Sequence, residues 1–429
     1  MRLFIIWSIV LCVAVMFLLG ECMSTGDNPY TKALMNNEQW ESVHGYVQVR
    51  PGAYLFYWFF YADGTKVGAN KKPLIIWIQG GPGFAASGVG NFGEIGPLNM
   101  DMQPRNHTWV RGRNLLLIDH PVGTGFSYAT FNSAFAKTDR TMAIDLSRAI
   151  KMFFRRHKDF RKTPAYLIGQ SYGGKLCPRL GLYLHTAIEK KSLRMNLKGI
   201  GIGGGWVNPR ESISVQPEYL YQMGAIDHKL YLSALTVAKK VIRSLDQYDY
   251  SHADILDDLL FNTLNEEDIN FNNVNGPNPY PALEELNKKI NLYVKPTLIG
   301  VNQTRLWRYM AYDVYDLLKK NFLVPSSSFL ETLLNKSKLR IAVYNGNLDV
   351  VTPIVGASNW VHKLKWYGAA KFSKAKRFPI GGNKNRNGFY KETENLSFWW
   401  VLGAGHWVPE ENPEAMEHIL QYLTKEDVD

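Results

Sequence analysis

From Val43 to Tyr61 apolar and aromatic positions alternate with polar ones, and Pro51-Gly52 interrupts them, which predicts a β-meander at a sheet edge. Short, continuous apolar runs follow at Leu74 to Ile78, Leu115 to Ile118, Tyr166 to Ile168, Ile200 to Ile202, Leu339 to Tyr344 and Phe398 to Leu402. Each ends in a loop rich in glycine or polar groups. Unbroken apolar runs of this length suit strands buried on both faces, as in a parallel sheet. Between them the spacing turns helical: Met142, Leu146, Ile150 and Phe153 share one face, as do Leu176, Leu180 and Leu184. Strand and helix in alternation predict an α/β fold with a mostly parallel sheet and right-handed crossovers. Residues 206–338 break the pattern. They read as polar and helical, with weak apolar content and Asp- and Asn-rich turns from Asp257 to Pro279. The expected organisation is a core in two parts, 23–205 and 339–429, with 206–338 inserted as a helical cap.

The N-terminus is a separate element. Arg2 precedes an apolar run from Leu3 to Leu19, and Gly20, Glu21 and Cys22 follow. This is the layout of a secretory signal peptide over residues 1–22, with a retained signal anchor as the alternative because the run approaches the length of a span. No other stretch is long and apolar enough for a span. Four sequons, at Asn106, Asn302, Asn335 and Asn395, fit a secretory route and are expected to carry glycans.

Composition changes this picture little. Aromatic residues make up 13% of the 429, far from a disordered composition. Of the 3 cysteines, Cys12 and Cys22 lie in the signal region. Cys177 is left alone in the mature chain and reads as core packing rather than as a nucleophile. The net charge is +11, but the basic clusters, Arg155 to Lys158 and Lys371 to Arg377, are short and scattered. They read as solvated surface, and no nucleic-acid partner is expected.

The candidate chemistry lies at strand ends. Gly169-Gln170-Ser171-Tyr172-Gly173 sits between a predicted strand and a predicted helix, the context of a nucleophile elbow. A serine hydroxyl needs a base, and the base needs a carboxylate to orient it. The run ending at Tyr344 leads to Asp349, and the run ending at Leu402 leads to His406, in the order Ser, Asp, His that such folds use. Either residue alone could be an ordinary loop residue. Together with Ser171 they form a candidate triad. The Gln79-Gly80-Gly81-Pro82-Gly83 loop follows another strand and could supply one oxyanion N–H at Gly81, with the second from Tyr172. No metal or cofactor motif is present, and none is expected.

On these residues the chain resembles the serine carboxypeptidase family of α/β-hydrolases and, within it, the retinoid-inducible branch. The resemblance rests on Trp77 to Gly83, Gly93 to Pro97, Asp119 to Tyr128, Gly169 to Lys175, Tyr344 to Asp349, Trp360 to Trp366 and Gly405 to Pro409. It implies removal of C-terminal residues from peptides, in a lysosomal or extracellular setting. It also implies that Gln79, Glu94 and Gln170 bind the terminal carboxylate and that Trp407 lines the leaving-side pocket. The chain departs from the family's usual pattern at Gln79 (commonly Asn, though the retinoid-inducible branch resembles this chain there), Gln170 (commonly Glu), Trp407 (commonly Met) and Phe84-Ala85-Ala86. Without a carboxylate at position 170, Glu94 is expected to have a less raised pKa. Two other functions stay open: an esterase or acyltransferase on the same scaffold, and a secreted binding protein with weak or no activity.

Overall fold

The structure is a computed structural model and describes residues 40–265, 268–381 and 386–425. The proposed signal peptide, with Cys12 and Cys22, lies outside the described residues. The strands are β1 Ser42–Arg50, β2 Ala53–Phe60, β3 Leu74–Ile78, β4 Asn114–Ile118, β5 Tyr128–Ala129, β6 Pro164–Gln170, β7 Asn196–Gly203, β8 Arg340–Gly346, β9 Phe378–Ile380, β10 Gly388–Thr393 and β11 Leu396–Val401. They form one sheet in the order β1-β2-β4-β3-β6-β7-β8-β11-β10-β9, with β5 beside β2. The six central strands from β4 to β11 pair in parallel, and antiparallel hairpins close both edges.

Each predicted apolar run falls on one of these strands, and the period of two explains why the runs are unbroken. In β3, Leu74, Ile76 and Ile78 enter the apolar layer on one face, while Ile75 and Trp77 enter the layer on the other. Strands β9 and β10 carried no such signal. Their sequences are mixed and partly exposed, as edge strands can be.

The helices are α1 Asp139–Arg156, α2 Tyr172–Glu189, α3 Pro209–Gln222, α4 His228–Asp246, α5 Tyr250–Leu264, α6 Tyr280–Lys289, α7 Tyr312–Phe322, α8 Ser327–Lys336, α9 Ile354–His362, α10 Ala369–Lys374, α11 Val408–Glu411 and α12 Pro413–Thr424. Helix α1 starts where Thr138 Oγ1 accepts the Thr141 N–H at 3.1 Å. It buries Met142, Leu146, Ile150 and Phe153 on one sheet face, each such side chain contributing about 1.5–3 kcal/mol. Leu176, Leu180 and Leu184 of α2 join the same layer, and α12 covers the opposite face with Met416, Ile419, Leu420 and Leu423. A parallel sheet with helices on both faces, strand–elbow–helix at its centre, is the α/β-hydrolase fold expected from the sequence.

Residues 206–338 are helical. Their apolar positions are sparse but periodic, so Ile213, Leu220, Ala234, Val241, Leu260 and Leu264 gather into a hydrophobic cluster separate from the two sheet layers. The last helix of this stretch, α8, packs its Leu330, Leu333 and Leu334 into the layer that holds α1 and α2. One expectation is corrected. Asp257 does not begin a run of turns, because α5 continues through it to Leu264. Asp249 caps this helix by accepting the His252 N–H at 3.0 Å, and Ala253, Leu260 and Leu264 bury its apolar face.

Candidate active site

Ser171 occupies the turn between β6 and α2, with φ 57° and ψ −123°. A non-glycine residue held at positive φ is strained, and the surroundings enforce it. The Ser171 N–H donates to Gly203 O at 2.9 Å, and its carbonyl accepts from Trp206 N at 3.1 Å. The helix can follow so tightly only because position 173 is glycine. A Cβ there would lie 1.9 Å from Ile78 O of β3. The result presents the serine hydroxyl at the sheet's carboxyl edge, where a cleft of about 390 Å³ opens. Gln79, Gly80, Gly81, Gln170, His406 and Trp407 line the cleft with Ser171.

The loops after β8 and β11 bring Asp349 and His406 together. His406 Nδ1 and Asp349 Oδ2 are 2.7 Å apart, and Asp349 has no solvent exposure. The carboxylate is held on both oxygens: Thr352 N donates to Oδ1 at 2.8 Å and Thr352 Oγ1 to Oδ2 at 2.6 Å. With Asp349 ionised, Nδ1 carries the proton and Nε2 is the free base. Burial works against the charged imidazole, but the Asp349 carboxylate and its hydrogen bond outweigh burial, so the His406 pKa lies above its ordinary value. Gly204, at φ +46°, leaves room for this pair. A Cβ there would stand 3.0 Å from His406 Nδ1 and 3.1 Å from Asp349 Oδ2.

Sequence reasoning missed what fixes these two loops: one tie comes from far along the chain, and the other from a glutamate that carries no distinguishing pattern. The segment 271–274 lies across both. Phe271 O accepts Val350 N at 3.0 Å and Val351 N at 3.1 Å, Asn272 O accepts His406 N at 2.6 Å, and Val274 N donates to Leu348 O at 3.0 Å. Glu411 completes the tie. Its carboxylate accepts Gly405 N at 2.8 Å and Trp407 N at 3.3 Å, and also the Asn273 side-chain amide. Thr352, three residues from Asp349, and Glu411, four from Trp407, are local to the loops they hold.

Gly81 takes φ 111° in the loop after β3 and lines the cleft. Among the described residues neither its N–H nor that of Tyr172 has a hydrogen-bond acceptor. Two such donors near the serine suit a developing oxyanion. The Tyr172 ring points away from the cleft. It stacks on Phe322, and its hydroxyl donates to Asp139, which also pairs with the buried Lys175 at 3.4 Å.

Gln79, Gln170 and Glu94 are also brought together, all of them buried. Glu94 belongs to a buried, glycine-rich π-helix, Ala86–Ile95, which no sequence period announced. Trp77 Nε1 donates to Gln79 Oε1 at 2.6 Å, which orients the amide so that its Nε2 donates to Glu94 Oε1 at 3.0 Å. Gln79 and Gln170 line the cleft while Glu94 stands behind them. Burial pushes the Glu94 pKa up to about 8, against the amides of Gln79 and Gln170 and the charge of His406, which pull it down. A second carboxylate is therefore not required to raise it. Among the described residues Gln170 Oε1 and Glu94 Oε2 have no hydrogen-bond partner. Trp407, half-buried, follows His406 at the same end of the cleft.

Cys177 is buried in α2 against the elbow, and burial raises its thiol pKa, in keeping with a packing role. No group of acidic, histidine or cysteine side chains suited to a metal occurs among the described residues. At the sequons, Asn106 and Asn302 are exposed. Asn335 is exposed too, but its amide donates to Glu331 O at 2.8 Å and Lys365 O at 3.1 Å, and that of half-buried Asn395 donates to Ser337 O at 3.3 Å.

The comparisons with known proteins agree with this geometry. A family profile described as serine carboxypeptidase matches residues 33–426. The retinoid-inducible serine carboxypeptidase of Homo sapiens is 31% identical, with 91% of this chain and 93% of that protein covered. Serine carboxypeptidase-like 51 of Arabidopsis thaliana is 28% identical, with 99% of each covered. Among solved structures, the prohormone-processing carboxypeptidase Kex1Δp of Saccharomyces cerevisiae superposes with a TM-score of 0.78 at 22% identity, over 94% of this chain and 93% of that one. At that identity it speaks for the fold.

Proposed function

The chain belongs to the serine carboxypeptidase family and is a serine-type carboxypeptidase; on that premise we propose that Ser171, His406 and Asp349 carry out the reaction. His406 Nε2 takes the Ser171 proton as Oγ attacks the carbonyl before the last residue. The tetrahedral oxyanion forms between the Gly81 and Tyr172 N–H groups. Collapse breaks the C–N bond, His406 returns the proton to the leaving amine, and the acyl group stays on Oγ until water, activated by the same imidazole, releases it. Asp349 holds the ring in the tautomer that leaves Nε2 free.

An exopeptidase must also recognise a free carboxylate. In this reading Gln79 and Gln170 face it with neutral donors, and Glu94, protonated below about pH 8, adds no opposing charge. The leaving side chain lies beside Trp407, and residues 206–338 cap the cleft. The observation that carries the proposal is the 2.7 Å contact of His406 with the buried Asp349, in the same cleft as Ser171. The arrangement of residues 1–22 and the exposed Asn106 and Asn302 support a route through the secretory pathway, to the lysosome or the exterior, with glycans on those two asparagines. Among the described residues no helix is long and apolar enough to cross a membrane.

The test is incubation with a mixed peptide pool followed by mass spectrometry, with Ser171→Ala as control. Products shortened by single C-terminal residues, absent from the control, are expected. Internal fragments, or equal products from both proteins, would contradict it.

A further inference from the structure

Helices α5 and α7 give the cleft a wall that mixes apolar and acidic groups. Leu260, Phe261 and Leu264 of α5 and Tyr315 and Phe322 of α7 line it, and so do Asp257 and Asp258. Asp254, Asp257 and Asp258 share one side of α5 by their spacing. Lys319 of α7 pairs with Asp258 at 2.5 Å and reaches Asp254 at 4.0 Å. It makes no such contact with Asp257, whose half-buried carboxyl has no hydrogen-bond or ion-pair partner among the described residues. An unpaired carboxyl in the wall of a cleft runs against a chain of net charge +11. Open to the cleft, it is available to a cation that enters.

We propose that Asp257 makes the cleft select a cationic side chain, lysine or arginine, on the penultimate residue of the peptide. This rests on the carboxypeptidase reading above, which fixes the direction of the substrate. The terminal carboxylate goes to Gln79 and Gln170, and the terminal side chain lies beside Trp407. The side chain before it then points away from that end, toward α5 and α7. A lysine or arginine matches the wall along its whole length. Its aliphatic stem lies on Leu260, Tyr315 and Phe322, and its charged end meets the carboxyl. A glutamate in the same place would meet like charge.

The surroundings also make the selection depend on pH. Asp257 faces Asp254 and Asp258 on its own helix, and Tyr315 and Lys319 on α7; Asp258, Tyr280 and His406 line the same cleft. Burial first, then the two neighbouring aspartates, push the Asp257 pKa up to about 7, with Lys319 opposing them. The carboxyl is therefore largely neutral in acid and charged above neutrality, so preference for a cation strengthens as pH rises between 5 and 7.5.

The experiment uses three blocked peptides that differ only in the penultimate residue: lysine, its uncharged analogue norleucine, and glutamate. Turnover is measured with the wild type and with Asp257→Asn. Binding is measured calorimetrically on Ser171→Ala and on Ser171→Ala/Asp257→Asn, where nothing is consumed. The wild type is expected to favour lysine over norleucine by about tenfold at pH 7.5, the scale of one charge-assisted hydrogen bond, and less at pH 5. Asp257→Asn is expected to abolish the ratio and its pH dependence. Equal binding of the lysine and norleucine peptides, or a lysine preference that survives Asp257→Asn, overturns the proposal. Absence of turnover on every peptide would count against the carboxypeptidase reading instead, and the binding comparison still decides the role of Asp257.

Discussion

Asp349 Oδ2 lies 2.7 Å from His406 Nδ1 and accepts a second hydrogen bond from Thr352 Oγ1 at 2.6 Å, with no solvent at the carboxylate. The aspartate can therefore act as a fixed orienter. Asp349→Asn presents an amide N–H where an acceptor is needed, which turns the imidazole to the tautomer with Nε2 protonated. Turnover is expected to fall on the order of 10³–10⁴-fold with KM little changed. Retention of wild-type kcat in a folded Asp349→Asn protein would move the orienter to another carboxylate.

Glu94 is expected to set the alkaline limit. Burial raises its carboxyl pKa to about 8, and ionisation above that would put a negative charge behind the two amides proposed to face the substrate carboxylate. KM for peptide acids is expected to rise through pH 8, and Glu94→Gln should remove that rise. Stability has the same sign. A carboxyl raised from 4.5 to about 8 by folding contributes stability that is fully present below 4.5 and lost as pH rises to 8. The thermal midpoint of the wild type, measured across that range against Glu94→Gln, should fall more steeply.

Gln170 offers an uncharged amide where the family commonly has a carboxylate. Gln170→Glu places two acidic groups side by side, and they cannot both ionise cheaply. The expected result is an optimum shifted toward acid, through a KM that rises above neutral pH for peptide acids but not for their C-terminal amides. Equal pH profiles of kcat/KM for mutant and wild type on a free acid would remove Gln170 from the clamp.

Glu411 is expected to act through the loop it holds. Glu411→Ala leaves the Gly405 and Trp407 N–H groups without their acceptor, at about 1–3 kcal/mol for each group that stays buried. The pH dependence of kcat should change with it, because His406 also loses a nearby negative charge. Glu411→Gln, which keeps an acceptor, should recover most of the stability but not the pH profile.

What was legible in the sequence was local. The elbow at Ser171 declares itself by glycines flanking a serine between strand and helix, and Asp349, His406 and Gln79 by their places just after apolar runs. Glu94 came from the family resemblance alone, because its glycine-rich π-helix has no apolar period to read. Asn272 could not be found this way, because its partner lies far along the chain; Glu411 lies close to Gly405 and Trp407 in sequence, but a glutamate in a short helix carries no signal of the loop it holds. Asp257 was misread as the start of a turn because aspartate is common in turns, while the spacing of Ala253, Leu260 and Leu264 that decides for helix is carried by few apolar residues.

The most direct measurement is the site of covalent labelling together with the product it blocks. The mature protein is treated with a fluorophosphonate, digested and sequenced by mass spectrometry, and its release of C-terminal residues from a peptide pool is followed in parallel. The adduct is expected on Ser171 alone, with release lost in proportion to labelling and Ser171→Ala silent in both assays. An adduct on another residue, or release that continues after Ser171 is fully modified, would contradict the account.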